Sequence, residues 1–351
     1  MGQEPTLRAI LAGLPDDLDR VKAACASVTD WRALLAAARE HGASGVVLAG
    51  LRRAGVEPSR DSLEPEQRRL LVEDMRQEVM RRTLDDVLSA LARAGVASVA
   101  LKGPLLAARL YDAAEVRPST DLDVLVLPSS VDAAVHALAP LGYSLEGGAS
   151  GRFFRDHHHH VHLLHPQLPV IELHVEAYRG FGTALLAGPL LIRSVAARAP
   201  GFADARVLAP EDEWLYLAVH GASHRFERLS WLYDLKLFLR AYPDLRWDIV
   251  AARAKEWKLE AVVALAAQLL DDWLRTSVHD GGHLAPLGAA RALAAEHLAK
   301  PRESHAANAA ASLAFSALLC DRANLAAFGA RYLRVKLLHE VPLRARALFA
   351  G

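Results

Sequence analysis

Apolar residues recur at helical spacing at both ends of the chain, and strand-like patterns fill the stretch between them. The helical spacing runs to about residue 93, and alanine and leucine restore it from about residue 207. The order of these patterns predicts an α+β fold. We expect three parts: an N-terminal helical region over 1–95, a core of mixed strands and helices over 96–206, and a C-terminal helical domain over 207–351.

Local signals refine the elements within these parts. Asp30 is a good N-cap for a helix over 31–40, which Gly42 would end because glycine accepts the left-handed conformation that follows a helix. In the core we expect a strand over 96–101, a helix over 104–112, a strand over 121–127, a helix over 129–140, a strand near Tyr143 and a hairpin of 157–164 with 169–176.

Two aspartates stand one residue apart at the head of the 121–127 strand. Successive side chains of a strand point to opposite faces, so Asp121 and Asp123 project from the same side, about 6 to 7 Å apart. Two such carboxylates repel each other, and a hard divalent cation such as Mg²⁺ removes that cost while leaving room for phosphate oxygens. The pair alone fits a metal site for phosphoryl chemistry and a solvated strand end equally well. The apolar strand and glycine turn before it, together with the acidic strand that follows later, favour the metal site.

A third carboxylate follows after a gap, on a segment that alternates between an apolar and a polar face. The polar face of 170–176 carries Glu172, His174 and Glu176. If this strand pairs beside the aspartate strand, Glu172 completes a cluster that can hold two cations, one activating the attacking oxygen and one stabilising the leaving oxygen. We therefore expect the three carboxyl groups to lie within about 6 Å of one another.

The core of this chain resembles a bacterial nucleotidyltransferase-fold family, a largely uncharacterised group of the polymerase-β-like superfamily, through the run LKGPLLAARLYDAAEVRPSTDLDVLVLPSSVDAAVHALAPLGY. That family has a Leu-Lys-Gly turn, an arginine shortly before Asp-x-Asp, and a later Glu-Leu-His strand. Here these are Leu101 to Gly103, Arg117, Asp121 with Asp123, and Glu172 to His174. The likeness continues into LAVHGASHRFERLSWLYDLKLFLR, which resembles the family's downstream helical pair.

The resemblance implies a nucleotidyltransferase mixed-sheet core flanked by helical regions. The implied reaction moves a nucleoside monophosphate from an NTP, with ATP expected, to a hydroxyl or phosphate of an acceptor and releases pyrophosphate. Asp121 and Asp123 would ligate Mg²⁺ or Mn²⁺, and Glu172 would help to bind the ion that activates the nucleophile. Lys102 and the Gly103 turn would hold the β and γ phosphates. The acceptor stays open between small molecules, peptides and proteins.

Two further residues are candidates for contacts with the nucleotide. Arg117 is suited to a bidentate phosphate contact, or it pairs with Asp121 or Asp112 to hold the loop. His174 orients Glu172 or contacts a phosphate, with a satisfied structural histidine as the alternative.

The turn departs from the wider superfamily, in which Gly-Ser or Gly-Gly stands closer to the aspartates. Here Pro104 follows Gly103, and seventeen residues separate that glycine from Asp121. Proline offers no N–H to a phosphate, although it suits the first turn of a helix. Lys102 either supplies the missing positive charge or forms a salt bridge with one of the acids.

Histidines are concentrated ahead of the Glu-Leu-His strand, at His157, His158, His159, His160, His162 and His165. Such a run invites zinc, because neutral imidazole is a common metal ligand. However, strand alternation would set His157 and His159 opposite to His158, His160 and His162, and the spacing is not that of a standard zinc site. We favour a hairpin strand with some histidines solvated and others lining the cleft, where His160 or His162 is best placed to touch substrate.

The helical half adds three residues of interest. His220 and His224 are four residues apart on one helix face, but no His-Glu-x-x-His motif supports a zinc peptidase. Asp234 resembles part of the family's downstream Leu-x-Asp-Leu element, where it faces the nucleotide or acceptor or else supports packing.

The amino-acid composition limits which partners the protein can bind and in which cellular compartment we expect it. Lys plus Arg and Asp plus Glu both total 41, so the net charge is zero, which argues against a protein that coats nucleic acid through excess basic charge. Cys25 and Cys320 lie far apart in the sequence and form no Cys-x-x-Cys motif, so we expect both to be ordinary reduced thiols. No secretory signal or membrane-spanning stretch is apparent, so we expect a cytoplasmic protein.

Two other classes of function stay open beside the transferase. A non-catalytic module that binds a nucleotide or a partner is compatible with the fold, and the Gly-Pro turn favours it, whereas three converging acids argue against it. A zinc hydrolase built on the histidines has the least support from the sequence.

Overall fold

The computed structural model describes residues 3–147, 159–280, 282–283, 313–320 and 329. Along the chain, helical segments come before and after the strands of a mixed sheet, which confirms the predicted α+β class. His157 and His158, the first two of the six histidines in this run, lie outside the described residues.

Five helices make up the described part of the N-terminal region. Asp30 caps the third of them as predicted, because its side chain accepts a hydrogen bond from Ala33 N at 2.9 Å. Gly42 follows the end of that helix at φ +65°, also as predicted. The helices are α1 (Glu4–Gly13), α2 (Leu18–Cys25), α3 (Trp31–Glu40), α4 (Ser44–Arg53) and α5 (Arg60–Arg93).

The central sheet is built from β1 (Ser98–Ala100), β2 (Leu122–Val126), β3 (Ser144–Leu145), β4 (His160–Leu164) and β5 (Ile171–His174). Within the described residues its strand order is β1–β2–β5–β4–β3. β2 and β5 run parallel, and the other neighbours are antiparallel, so the sheet is mixed as expected. The helices between these strands are α6 (Pro104–Leu110) and α7 (Val131–Leu138).

The strand predicted over 169–176 is shorter in the structure and ends at His174. The N–H of Val175 turns to the carbonyl of His159, and Glu176 opens a strand of a separate two-stranded sheet. Glu176 therefore leaves the polar face of β5, contrary to the prediction. The two strands of the second sheet are β6 (Glu176–Gly180) and β7 (Thr183–Leu186).

The two faces of the central sheet differ in character. Leu122 and Val124 point to one face, where they pack with buried residues of α5 and α7. Alternation along the strands sends Asp123, Leu125 and Glu172 to the other face. There Leu125 joins the main hydrophobic core, while the two acids remain together in a polar patch.

The main hydrophobic core joins helices from both ends of the chain. Ile10, Leu215 and Leu232 are fully buried in one cluster with strand residues of the central sheet. The division at residues 95 and 206 stays a prediction. The later elements are α8 (Ala187–Arg193), β8 (Val195–Ala196), β9 (Arg206–Val207), α9 (Pro210–Ser223), α10 (Leu229–Ala241), α11 (Trp247–Glu256) and α12 (Glu260–Leu274). Of the helices described, none is both long and apolar enough to cross a membrane.

Gly45 allows α4 to approach the chain that leads to the aspartates. A Cβ at this position would lie 2.6 Å from Val116 N and closer still to the Val116 carbonyl oxygen. We expect Gly45→Ala to lower the free energy of unfolding by about 1–3 kcal/mol, because backbone rather than a flexible side chain must move. Urea denaturation measures this change.

A matched control is Gly188→Ala in α8, where an added Cβ would meet no atom within 4 Å beyond its chain neighbours and the backbone of its own helix. That variant should be more stable by about 0.5–1 kcal/mol, since alanine is the better helix former. Equal effects of the two substitutions would contradict the close approach of α4 to Val116.

Candidate active site

A row of ionisable side chains crosses the polar face of the sheet. Asp123 of β2 lies opposite Glu172 of β5, and Glu172 lies opposite His162 of β4. The N–H of Glu146 bonds the carbonyl of His162, which extends the row by one more chain segment. Directly opposed residues in neighbouring strands share a face, so the strand register brings these side chains together.

The predicted convergence is confirmed for two of the three carboxylates. Ligand oxygens of Asp123 and Glu172, together with a nitrogen of His174, lie within 4.8 Å of one another. Asp121 joins them through Lys102, whose Nζ lies 2.7 Å from Asp123 Oδ2 and 3.4 Å from Asp121 Oδ1. The salt bridge considered as the alternative for Lys102 is therefore present, and its contact with a phosphate stays a prediction.

The charges at this end of the row compensate one another. Burial raises the pKa of Asp121, and the neighbouring charge of Asp123 raises it further. Burial acts in the same direction on Asp123, but Lys102 and His174 outweigh it and hold the pKa of that carboxyl below its usual value. Burial disfavours the charged form of Lys102, yet Asp123 and Asp121 raise its pKa overall. Ion pairs with Lys102 and His174 thus compensate part of the negative charge of the cluster.

Gly103 turns the chain between β1 and α6. Its φ of +74° lies in the region that favours glycine, whereas an added Cβ would meet Ser119 Oγ only at 3.7 Å. The glycine is therefore needed for its backbone angle rather than for its small size. The helix begins at Pro104 as predicted, where the missing N–H of proline costs no helical hydrogen bond.

His174 lies between two of the acids. Its Nε2 is 3.0 Å from Asp123 Oδ1 and 3.5 Å from Glu172 Oε2, and the side chain is buried. Burial disfavours the imidazolium, but the hydrogen bond to Asp123 and the contact with Glu172 raise the pKa of His174 to about 9. His174 thus contacts both carboxylates, which agrees with the expectation that it orients Glu172 and adds Asp123, while its contact with a phosphate stays a prediction.

Glu146 is a member of the row that sequence analysis missed. Its Oε2 lies 2.9 Å from His162 Nδ1, and the other ring nitrogen of His162 lies 3.6 Å from Glu172 Oε1. The contact with Glu172, and then that with Glu146, raises the pKa of His162. The two histidines beside Glu172, His162 and His174, outweigh its burial and lower its pKa.

The prediction that His159 faces away from His160 is wrong. β4 begins only at His160, so strand alternation does not govern the preceding residue. The ring of His159 lies 5.0 Å from that of His160 and 5.3 Å from that of His174. His165 instead supports the turn after β4, where its Nδ1 accepts two backbone hydrogen bonds.

Arg117 is buried beside the aspartate loop and binds Asp234 of α10 rather than Asp121 or Asp112. Its Nε lies 2.7 Å from Asp234 Oδ1 and its Nη2 lies 2.7 Å from Asp234 Oδ2. The hydroxyl of Tyr111 donates to the same carboxylate at 2.6 Å. Asp234 therefore supports packing, which was one of its two expected roles. A phosphate contact for Arg117 stays a prediction.

A second buried pair links α6 to α9. The guanidinium of Arg109 donates to both oxygens of Glu213 at 2.6 and 2.8 Å and to the hydroxyl of Tyr242 at 2.6 Å. The arginine and glutamate are 104 positions apart in the chain, so no local pattern marks them as partners. Together the two arginine pairs hold α6 and the aspartate loop against the C-terminal helices.

The histidines at the end of α9 form an aromatic group with α10. The ring of His220 lies 4.9 Å from that of His224 and 5.5 Å from that of Trp231. Burial, and then the positive charge of Lys102, lowers the pKa of His224 to about 4. Within the part of the chain that is described, the clusters with metal-ligand spacing lie on the central sheet and include neither histidine.

Comparison with known proteins identifies the family. The model of a family described as uncharacterised nucleotidyltransferase matches residues 27–275, and the chain belongs to that family. A search of curated proteins found no match. The chain is similar to the solution structure of the antibiotic-resistance factor ANT(2'')-Ia, with a TM-score of 0.35 and 11% identity over 52% of this chain and 94% of that chain. The family match confirms the resemblance seen in the sequence.

The buried pair of Arg117 with Asp234 can be tested against an exposed pair of the same chemistry. Asp234→Asn leaves a buried guanidinium without its counter-charge, so we expect unfolding free energy to fall by about 3–5 kcal/mol. Thermal and urea unfolding measure the loss.

The exposed pair is Arg246 with Asp248, whose Nη2 to Oδ2 distance of 2.7 Å equals that of the buried pair. Asp248→Asn should leave stability unchanged within error, because water screens an exposed ion pair. If both variants lose the same stability, burial is not what makes the Asp234 contact important.

Proposed function

We propose that this protein is a Mg²⁺- or Mn²⁺-dependent nucleotidyltransferase that moves a nucleoside monophosphate from an NTP, with ATP expected, to an acceptor hydroxyl or phosphate and releases pyrophosphate. The observation that carries the proposal is the parallel pairing of β2 with β5, which sets Asp123 opposite Glu172 in a chain of a nucleotidyltransferase family. The acceptor stays open between a small molecule, a peptide and a protein.

The donor set suits a hard cation. Asp121, Asp123 and Glu172 offer carboxylate oxygens, which Mg²⁺ and Mn²⁺ prefer. Asp123 Oδ2 is buried and receives no hydrogen bond of good geometry, although Lys102 Nζ lies 2.7 Å away. We therefore assign the three carboxylates as the ligands. When bound, the cation would supply positive charge to the phosphate oxygens and a template for in-line transfer.

The remaining residues of the site have supporting roles in this proposal. His174 holds Asp123 and Glu172 in place through its hydrogen bond and close contact. Lys102 compensates the aspartates before ligands arrive and contacts the β or γ phosphate of the bound NTP, since an ammonium binds phosphate as a point charge. Gly103 provides the turn that puts Lys102 at this position.

A second candidate is a non-catalytic module that binds a nucleotide or a partner. The observation in its favour is that Lys102 and His174 both contact Asp123, so side chains of the protein itself compensate the charge of that buried acid. Under this alternative the fold would bind ligand but transfer nothing. A transfer assay separates the two functions.

We expect wild-type protein, incubated with α-³²P-labelled NTPs and Mg²⁺ or Mn²⁺ in the presence of cell extract, to form labelled product and pyrophosphate. Asp123→Asn should abolish transfer, because it removes a ligating charge while keeping the shape of the side chain. Its stability should fall as well, since Lys102 and His174 lose a buried partner. Circular dichroism and thermal unfolding establish that the variant is folded at the assay temperature.

The matched control is Asp132→Asn, at an exposed position of α7, which should transfer at the wild-type rate. Transfer by Asp123→Asn at the wild-type rate would exclude the proposed site. Nucleotide binding without transfer by the wild-type protein, across all NTPs and extracts, would favour the non-catalytic module.

Lys102→Ala tests the phosphate contact separately. We expect binding of a non-hydrolysable NTP analogue with Mg²⁺ to weaken by about 1.5–3 kcal/mol, the range for a hydrogen bond to a charged group. Isothermal titration calorimetry measures this loss, and Lys255→Ala, at an exposed position of α11, is the control. If nucleotide affinity is unchanged while Mn²⁺ binds more tightly, Lys102 only compensates the aspartates.

A further inference from the structure

The histidine end of the polar row has the spacing of a second metal site. One ligand atom each from His160, His162 and Glu172 can be chosen so that all three lie within 4.8 Å of one another. The register of the sheet produces this group, because Glu172 lies opposite His162 and His160 is two residues away on the same face of β4. All three side chains are partly exposed, so an ion can reach them.

The spacing of His162 and Glu172 fits ligation better than hydrogen bonding. Their Nε2 and Oε1 atoms are 3.6 Å apart. A nitrogen–oxygen hydrogen bond is most often about 2.9–3.0 Å long. Two atoms that each lie about 2.1 Å from a tetrahedral Zn²⁺ are ~3.4 Å apart. The observed distance is therefore close to that of two ligands of one ion.

Glu146 supplies the second observation that points to a metal. Its carboxylate lies 2.9 Å from His162 Nδ1, so that nitrogen donates its proton and Nε2 faces Glu172. A histidine that binds a metal through one nitrogen typically donates its other N–H to a carboxylate, which fixes the ring and its tautomer. The order Glu146, His162, Glu172 reproduces that arrangement across three neighbouring chain segments.

Glu172 faces two different environments with its two oxygens. Oε2 lies 3.5 Å from His174 on the aspartate side, whereas Oε1 faces His162. One carboxylate can therefore belong to both ends of the row. His159, His160 and His174 form another group within 4.8 Å. That group has no anionic ligand, and the Nε2 atom of His174 already binds Asp123, so we favour the group containing Glu172.

We propose that His160, His162 and Glu172 form a second cation site, which takes a divalent transition-metal ion of the Zn²⁺ class in preference to Mg²⁺. Two imidazoles and one carboxylate suit such ions, while Mg²⁺ prefers oxygen ligands alone. The site adjoins the three carboxylates and shares Glu172 with them. It does not depend on nucleotide transfer, so it can be tested on the protein without any substrate.

The test uses metal-free full-length protein titrated with Co²⁺ in the presence of excess Mg²⁺. Visible absorption of the bound Co²⁺ reports nitrogen ligation, and calorimetry with Zn²⁺ gives the affinity. We expect binding at a single site per chain that Mg²⁺ does not displace. His162→Ala should weaken Zn²⁺ binding at least tenfold, and Glu146→Gln should weaken it about 10- to 100-fold, as loss of a partner behind a ligand does.

Two controls separate this site from other histidines. His136→Ala, at an exposed position of α7, should bind Zn²⁺ as the wild type does. The double variant His157→Ala/His158→Ala removes the two histidines of the run that lie outside the described residues, and it should also bind normally. Thermal unfolding checks every variant, and Glu146→Gln provides a milder change should His162→Ala be unfolded.

Three results would overturn the proposal: Zn²⁺ affinity unchanged in both His162→Ala and Glu146→Gln, displacement of Co²⁺ by Mg²⁺, or loss of binding in the double variant. The outcome is distinguishable from that of the transfer assay. Zn²⁺ binding that depends on His162 supports the site even if no nucleotide is transferred, and transfer without such binding leaves the proposed function but removes this site.

Discussion

The burial of Asp123 beside two further acids is the constraint on which the candidate site depends. Removing a charge from water costs several kcal/mol unless a partner compensates it, and only 3% of Asp123 is exposed. The sheet supplies the partners itself. Lys102 follows β1, and His174 lies two residues beyond Glu172 on the same face of β5. The parallel register of β2 and β5 therefore brings Asp123 and Glu172 together, and it brings the His174 side chain, which stabilises both, to the same place.

The loop that carries the aspartates is held from both sides by distant parts of the chain. From the C-terminal helices, Asp234 binds Arg117, and Glu213 binds Arg109 at the start of the same segment. From the N-terminal helices, Gly45 lets α4 contact the backbone of Val116. Buried ion pairs are costly to break, and a backbone contact cannot relax by rotating a side chain. The position of the aspartates thus depends on helices from both ends of the chain.

The alternation of side chains along a strand predicted which residues of the same strand share a face. It placed Glu172 with His174, because a period of two governs side chains inside a strand. Asp121 was expected to begin the aspartate strand, but β2 begins at Leu122, and Asp121 approaches Asp123 through their shared contact with Lys102. Alternation misplaced His159, since β4 begins one residue later. Glu146 and the partner of Arg117 could not be predicted, because they depend on contacts between segments far apart in the chain. Lys102 was recognised as a cation near the acids, but its ion pair with Asp123 depends on how the turn after β1 folds against β2.

The position of Lys102 beside Asp123 couples the binding of the divalent cation to the binding of the NTP in the proposed reaction. A divalent cation between Asp121 and Asp123 would stand beside the ammonium of Lys102, which lies 2.7 Å from Asp123 Oδ2. Even unit charges 4 Å apart repel by about 4 kcal/mol near a protein surface, and a doubly charged ion roughly doubles this. The triphosphate of an NTP offers Lys102 another anionic partner, and this reduces the repulsion between the ammonium and the divalent cation. Since linkage between two ligands is reciprocal, the cation must favour the nucleotide as much as the nucleotide favours the cation.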